Sequence, residues 1–243
     1  MEVLIGCCGL QGRQASYYEE FPVVEVQRSF YQMPQMSLAS RWRTGAPDAF
    51  TFTMKAWQLV THRPSSPTYR RVSEELPGDP DGYGDFRATP EVDGAWERTL
   101  AWGVELGATI MVFQCPRSFR PGDEAVSNMR SFFTRVDRGG MEFVWEPRGW
   151  PDDLVSDLCR ELDLVHCVDP FLDTQQHGAF AYFRLHGLPA YNYRHRYSEA
   201  ELRELWAKVD AQVAEGRVHT YVMMNNWYLL DDARRLRMLR RGA

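Results

Sequence analysis

The sequence has no run of about 18 apolar residues, so it offers no segment for a membrane-spanning helix. It has no Cys-x-x-Cys pair. Its five cysteines, Cys7, Cys8, Cys115, Cys159 and Cys167, are odd in number. That argues against a disulfide framework or a structural zinc site and for a reducing cytoplasm. The opening residues Met1–Gly6 lack a basic n-region and read as a first strand, in keeping with a cytoplasmic protein. No glycine-rich phosphate loop, Gly-x-Gly-x-x-Gly turn, His-Glu-x-x-His helix or Gly-x-Ser-x-Gly elbow is present, which removes the nucleotidases, dehydrogenases, metalloproteases and esterases that those motifs mark. An excess of positive charge is also missing. The net charge of −5 rules out a generic polyanion binder, so any contact with nucleic acid needs a local basic patch.

What is present is an alternation of short apolar runs with longer amphipathic ones. Eight runs read as strands: Val3–Cys7, Val23–Val26, Phe50–Lys55, Thr109–Phe113, Glu142–Trp145, Leu164–Val168, Ala179–Phe183 and Thr220–Met224. Helical patterns cover Met36–Thr44, Ala95–Leu106, Asp123–Val136, Asp152–Leu162, Ser198–Ala214 and Leu230–Arg240. Ser198, with Glu201 three residues on, reads as a capping box. Strands alternating with helices pair in parallel through right-handed crossovers. Eight such units in 243 residues predict a TIM-type (β/α)8 barrel, a single domain over residues 1–243. A long loop insertion rich in Pro, Gly and Asp, Arg63 to Asp93, follows the third strand. It reads either as a lid over the site or as a plain excursion.

In such a barrel the strand C-termini build the active face. Here they deliver Glu25, Lys55, Gln114, Glu146, Arg148, Asp169, Arg184, His186, Asn225 and Asn226. Glu25 and Glu146 are candidate general acid and base, or metal ligands; equally, each can pair with Lys55 or Arg184 and close the barrel top. His186, inside Arg184-Leu185-His186-Gly187, is the candidate proton carrier or metal ligand. Gly187 permits a close backbone approach there. Arg184, Arg148 and Lys55 suit an anion such as a phosphate or a carboxylate, or pairing with the two glutamates. Asn225 and Asn226 orient a ligand or cap the following helix. Tyr191-x-Tyr193-Arg194-His195-Arg196-Tyr197 interleaves aromatic with basic residues, which suits stacking on a base or sugar beside a phosphate; the plainer reading is a loop anchored by its aromatics. Cys7 and Cys8 read as small buried hydrophobes, with no feature that would activate either as a nucleophile.

These segments, taken in order, resemble the YecE-like family, catalogued as domain of unknown function 72. The resemblance is carried by Ile5-Gly6-Cys7-Cys8-Gly9, by Val24-Glu25-Val26-Gln27-Arg28-Ser29-Phe30-Tyr31-Gln32-Met33-Pro34 and by Phe50-Thr51-Phe52-Thr53-Met54-Lys55-Ala56. Thr61-His62, Phe113-Gln114-Cys115-Pro116-Arg117-Ser118-Phe119, Glu146-Pro147-Arg148-Gly149-Trp150, Phe183–Gly187 and Tyr221–Asn226 complete it. It implies a TIM-type barrel with a polar pocket at the strand C-termini and no established reaction. The family's recurrent pocket residues fall on Glu25, Lys55, His62, Gln114, Glu146, Arg148, Arg184, His186, Asn225 and Asn226. The chain departs from the usual Gly-x-Ser-Gly-Trp by Cys8 and Leu10, and carries Gln27 and Arg28 where the family has asparagine and a small hydroxyl residue.

The expectation is an enzyme, a hydrolase in its simplest form, acting on a phosphorylated or otherwise anionic substrate, a phosphodiester included. Glu25, Glu146 and His186 would carry its chemistry. Lys55, His62, Gln114, Arg148, Arg184, Tyr191, Asn225 and Asn226 would bind the substrate. No set of three metal ligands is evident, no cofactor is indicated, and no membrane partner is expected. The alternative is a non-catalytic nucleic-acid or nucleotide binding protein; a metabolite sensor is a third reading.

Overall fold

The computed structural model describes residues 2–241. Eight strands close a parallel barrel in sequence order: β1 (Glu2–Cys8), β2 (Val23–Val26), β3 (Thr51–Lys55), β4 (Ala108–Gln114), β5 (Glu142–Glu146), β6 (Val165–Val168), β7 (Ala181–Leu185) and β8 (His219–Met224). β8 pairs with β1 over six positions, Glu2↔His219 through Cys7↔Met224, and completes the ring. The helices are α1 (Gln14–Glu20), α2 (Arg28–Tyr31), α3 (Met36–Gly45), α4 (Gln58–Thr61), α5 (Pro90–Leu106), α6 (Asp123–Arg135), α7 (Asp152–Glu161), α8 (Glu199–Ala214) and α9 (Leu229–Arg241). The connection from β6 to β7 is the one crossover among the described residues without a helix. The chain is therefore the (β/α)8 barrel that its alternating pattern predicts.

Strand parity explains both the core and the site. Both faces of each strand are buried, one against the helices and one inside the barrel, so the strands read as continuous apolar runs. In β4, Met111 and Phe113 join the outer core while Ile110 and Val112 join the barrel interior. In β7, Ala181, Phe183 and Leu185 face the helices and Tyr182 faces inward. Successive side chains alternate, so the inner face continues upward from Val112 to Gln114, from Val144 to Glu146, from Cys167 to Asp169, from Tyr182 to Arg184 and from Met223 to Asn225. Glu25 shares the inner parity of Val23. Lys55 sits opposite the parity of Met54, an outer-core residue.

The structure differs from the sequence reading in places with identifiable causes. β7 runs two residues further than the apolar run, because Arg184 inside it is paired and so tolerates complete burial. α1 shows no helical apolar period; it is held by Tyr17, whose hydroxyl donates to the Val23 carbonyl and accepts from the Cys7 amide, both at 2.9 Å. The predicted capping box of α8 is present, with Glu201 N donating to Ser198 Oγ at 3.2 Å and Ser198 N to Glu201 Oε2 at 2.6 Å. The long segment after β3 contains two 3₁₀ turns, Pro67–Arg71 and Pro80–Gly82. It is anchored by Phe86, fully buried among Phe113, Phe119, Phe132 and Phe133. Gly84 has φ +85°, and a Cβ there would lie 2.3 Å from the His62 carbonyl oxygen. This half of the segment is a packed excursion rather than a hinged lid.

Candidate functional site at the barrel mouth

The floor of the mouth is an ion cluster around Arg184, whose side chain is 1% exposed. Its Nη2 lies 2.9 Å from Glu25 Oε1, and its Nη1 is hydrogen-bonded to Glu146 Oε2. Glu25 is saturated from below: Tyr182 donates its hydroxyl to Oε2 at 2.8 Å, and Gln27 and Cys8 donate to Oε1. The Tyr182 hydroxyl also meets Thr53 Oγ1 at 2.8 Å. Burial alone pushes a carboxyl up and a guanidinium down. For Glu146 burial is outweighed by the charges of Arg184, His186, Arg148 and Lys55, which bring it down to about 2. For Arg184 the two glutamates outweigh burial and raise its pKa further. The two carboxylates are thus joined by a guanidinium.

Above this floor stands Lys55, also buried. Its Nζ donates to Gln114 Oε1 at 2.7 Å and sits 3.6 Å from the centre of the Phe30 ring. Burial, reinforced by the charge of Arg184, pulls its pKa down to about 7, against the opposing pull of Glu146 and Glu25. His62 lies behind the same ring, 5.0 Å from Phe30 centroid to centroid, with Nδ1 at 2.8 Å from Thr61 Oγ1. Burial and the Lys55 charge hold it neutral, at about 3.

His186 follows β7 directly and is 2% exposed. Its backbone amide donates to Asp169 Oδ2 at 2.8 Å, which fixes the chain there. The imidazole is another matter. Nδ1 is 3.5 Å from Asp169 Oδ2 and Nε2 is 3.9 Å from Glu146 Oε1, and neither ring nitrogen has a hydrogen-bond partner. Tyr191 and Tyr193 flank the ring at 5.0 and 5.9 Å. Tyr191 in turn carries the Arg148 guanidinium 4.7 Å above its face. Arg148 Nη2 reaches Glu146 Oε1 at 3.3 Å, whereas its buried Nε has no acceptor.

The structure thus brings Glu25, Lys55, Gln114, Glu146, Arg148, Arg184, His186 and Tyr191 together, with His62 behind Phe30. Asn225 follows β8 at inner parity, its amide bonded to the Leu185 carbonyl at 2.9 Å. Asn226 is turned the other way. Its Nδ2 donates to Asp232 Oδ2 at 2.6 Å and to the His195 carbonyl at 2.8 Å, tying α9 to the loop after β7. Sequence reasoning missed Tyr182, Thr53 and Gln27, which complete the shell of Glu25; inner parity was the signal that could have found the first two. Among the described residues no three His, Cys, Asp or Glu side chains are grouped to hold a metal ion.

The arrangement sits in a chain with recognisable relatives. The family described as "Protein of unknown function DUF72" matches residues 10–241. No curated protein matches the sequence. Among solved structures, a DUF72 family protein from Enterococcus faecalis V583 superposes with TM-score 0.75 at 16% identity, covering 99% of this chain and 98% of that one. A DUF72 family protein from Thermotoga maritima MSB8 gives 0.70 at 20% identity, with 99% and 100% covered. A xylose isomerase domain containing protein from Salmonella typhimurium LT2 gives 0.57 at 14% identity, with 98% and 95% covered. At these identities the likeness is one of fold.

Proposed function

The chain belongs to the DUF72 family, and on that premise we propose that the barrel mouth is an acid/base site that acts on an anionic small molecule. The observation that carries this reading is the imidazole of His186, buried with both ring nitrogens unpartnered. A buried polar group left without a partner costs about 1–3 kcal/mol, and such groups recur where a ligand or a catalytic step supplies the missing bond. Lys55 adds a second proton carrier, since a group near 7 is divided between its two forms at neutral pH. Glu146, held near 2, stays a carboxylate. With Glu25 it positions Arg184, so the proton work falls to His186 and Lys55 rather than to the glutamates. Arg148, whose side chain is 20% exposed at the rim, receives the negative group of the ligand.

The test is turnover of phosphorylated and carboxylated sugars in D2O, followed by 1H and 31P NMR. Loss of a proton-transfer group typically slows a reaction by about 10²–10⁴-fold. His186→Gln and Lys55→Met should each slow deuterium uptake or hydrolysis on that scale while the protein stays folded. A compound that binds the mouth and is processed equally well by both variants would sink the reading.

A second reading has its own observation. Trp227 is 67% exposed with the Arg194 guanidinium 4.9 Å over its ring, and Tyr193, beside His186, is 39% exposed. An aromatic surface under a cation stacks single-stranded bases. Oligonucleotide affinity that falls steeply with salt and is lost in Trp227→Ala would support it; no affinity at low salt would remove it.

A further inference from the structure

We propose that the groove outside the mouth is a seat for a phosphate monoester, and that the ligand of the acid/base site is therefore a phosphorylated molecule; this rests on the reading above and narrows it. The groove encloses about 660 Å³ and lies among the loops that follow β4, β5, β6 and β7. That volume falls within the range of small-molecule sites, roughly 300–1,000 Å³. Its charged lining is Arg117, Arg120, Arg148 and Asp173. Arg148 is paired with Glu146, so Arg117 and Arg120 face Asp173 with positive charge in excess. A phosphate monoester carries about two negative charges at neutral pH.

The state of these arginines sets the groove apart. Arg117 and Arg120 are exposed, and among the described residues neither has a hydrogen bond or an ion pair. Arg148 keeps a buried Nε without an acceptor. Arginines of two other cavities hold carboxylates. Arg234 grips Glu20 through two nitrogens, and Arg63 is bonded to Asp85. Two guanidiniums without carboxylate partners, beside a third that shares its charge with Glu146 at 3.3 Å, match an oxyanion better than a protein contact.

The groove adjoins the mouth through two shared side chains. Arg148 lines the groove and also reaches Glu146 at 3.3 Å, while Tyr191 lines the groove and stands 5.0 Å from the His186 ring. A phosphate held by Arg117, Arg120 and Arg148 leaves the rest of the molecule to pass Tyr191 and reach His186 and Lys55. The phosphate is then a handle that anchors the substrate, and the bond that changes lies in the mouth.

The experiment is calorimetric titration of inorganic phosphate into the full chain, its Arg117→Gln/Arg120→Gln double variant and His186→Gln. Both arginines are exposed and unpaired, so thermal unfolding of the double variant should match that of the wild type. Loss of charge-assisted bonds should weaken phosphate binding by at least about tenfold in the double variant, and less than about twofold in His186→Gln, which touches no groove residue but Tyr191. Equal phosphate affinity in the double variant and the wild type overturns the proposal, as does absence of phosphate binding by the wild type. If the arginine dependence is found but His186→Gln and Lys55→Met leave turnover unchanged, the acid/base reading falls and the groove stands. If turnover depends on His186 and Lys55 while phosphate ignores Arg117 and Arg120, the groove falls and the acid/base reading stands.

Discussion

Lys55 gives the sharpest quantitative handle on the mouth, because a buried ammonium writes itself into the pH dependence of stability. Its pKa is about 7 in the folded chain against 10.5 for the ordinary side chain. Below pH 7 both states hold the proton, and the buried charge lowers stability in full. Between 7 and 10.5 the unfolded chain binds more protons than the folded one, so this contribution makes stability rise with pH. At pH 7 the penalty is on the order of 4 kcal/mol, from roughly three pH units at 1.36 kcal/mol each. From pH 7 to 8.5 it shrinks by about 1.5 kcal/mol. The ordinary thiol pKa near 8.5 bounds the useful window. All five cysteines are pushed up by burial. A thiol raised in the folded state lowers stability once the unfolded chain begins to ionise, which opposes the lysine above that pH.

The assay is therefore a difference. Urea unfolding of the wild type and of Lys55→Met at pH 7.0 and 8.5 cancels the cysteines and tyrosines that the two proteins share. The constant offset contains the lost Gln114 bond and Phe30 contact. The change in that offset isolates the ammonium: the wild type should gain about 1.5 kcal/mol on the variant between the two pH values. An offset that stays flat would mean that Lys55 titrates in its ordinary range, and the argument for it as a proton carrier at neutral pH would collapse.

The other predictions concern the floor and its supports. Glu146→Gln should destabilise by about 3–5 kcal/mol at pH 7, because it leaves Arg184 buried with Glu25 alone. Its acid limb should also flatten: a carboxylate depressed to about 2 contributes stability above its ordinary 4.5 that is lost as pH falls through 2, and urea titrations at pH 5 and 3 will show whether that slope goes. Tyr182→Phe should cost about 1–3 kcal/mol, since it removes the donor to Glu25 and leaves the Thr53 hydroxyl only its 3.4 Å bond to the Val24 carbonyl; an unchanged melting temperature would show that water replaces the hydroxyl. Gly187→Ala should destabilise by about 1–3 kcal/mol and shift the His186 ring resonances, because φ there is +86° and a Cβ would lie 2.1 Å from the Asn192 carbonyl oxygen.

The barrel was legible because alternating runs of two periods leave few topologies, and because polar residues at the ends of apolar runs mark the strand tops. Glu25, Lys55, Gln114, Glu146, Arg184 and His186 came from that signal alone. Partner identity was not legible. Glu25 and Tyr182 are 157 positions apart, and nothing in either local run says that they touch. Tyr182 read as one more apolar strand residue. Asn225 and Asn226 looked equivalent in sequence, yet in the loop just beyond β8 Asn226 turns to Asp232 and α9. Arg117 and Arg120 lie in a loop with no periodicity, and only the enclosed groove makes them a set.

Two layers of the same inner face behave differently, and the difference favours the proposed acid/base role. Arg184 lies in β7 and His186 one position beyond its end, two residues on at about 3.3 Å per extended residue. At the lower level the charges are paired, Arg184 with Glu25 and Glu146, while Glu25 also accepts from Tyr182, Gln27 and Cys8; only the buried Nε of Arg184 has no acceptor. Such a network is rigid, because breaking any member leaves a buried charge alone. At the upper level neither ring nitrogen of His186 has a hydrogen-bond partner, and Lys55, bonded to Gln114, is held near the midpoint of its titration. A fixed floor under unsatisfied groups is the arrangement that preorganised catalysis requires, since the floor sets the geometry and the ligand completes the bonds.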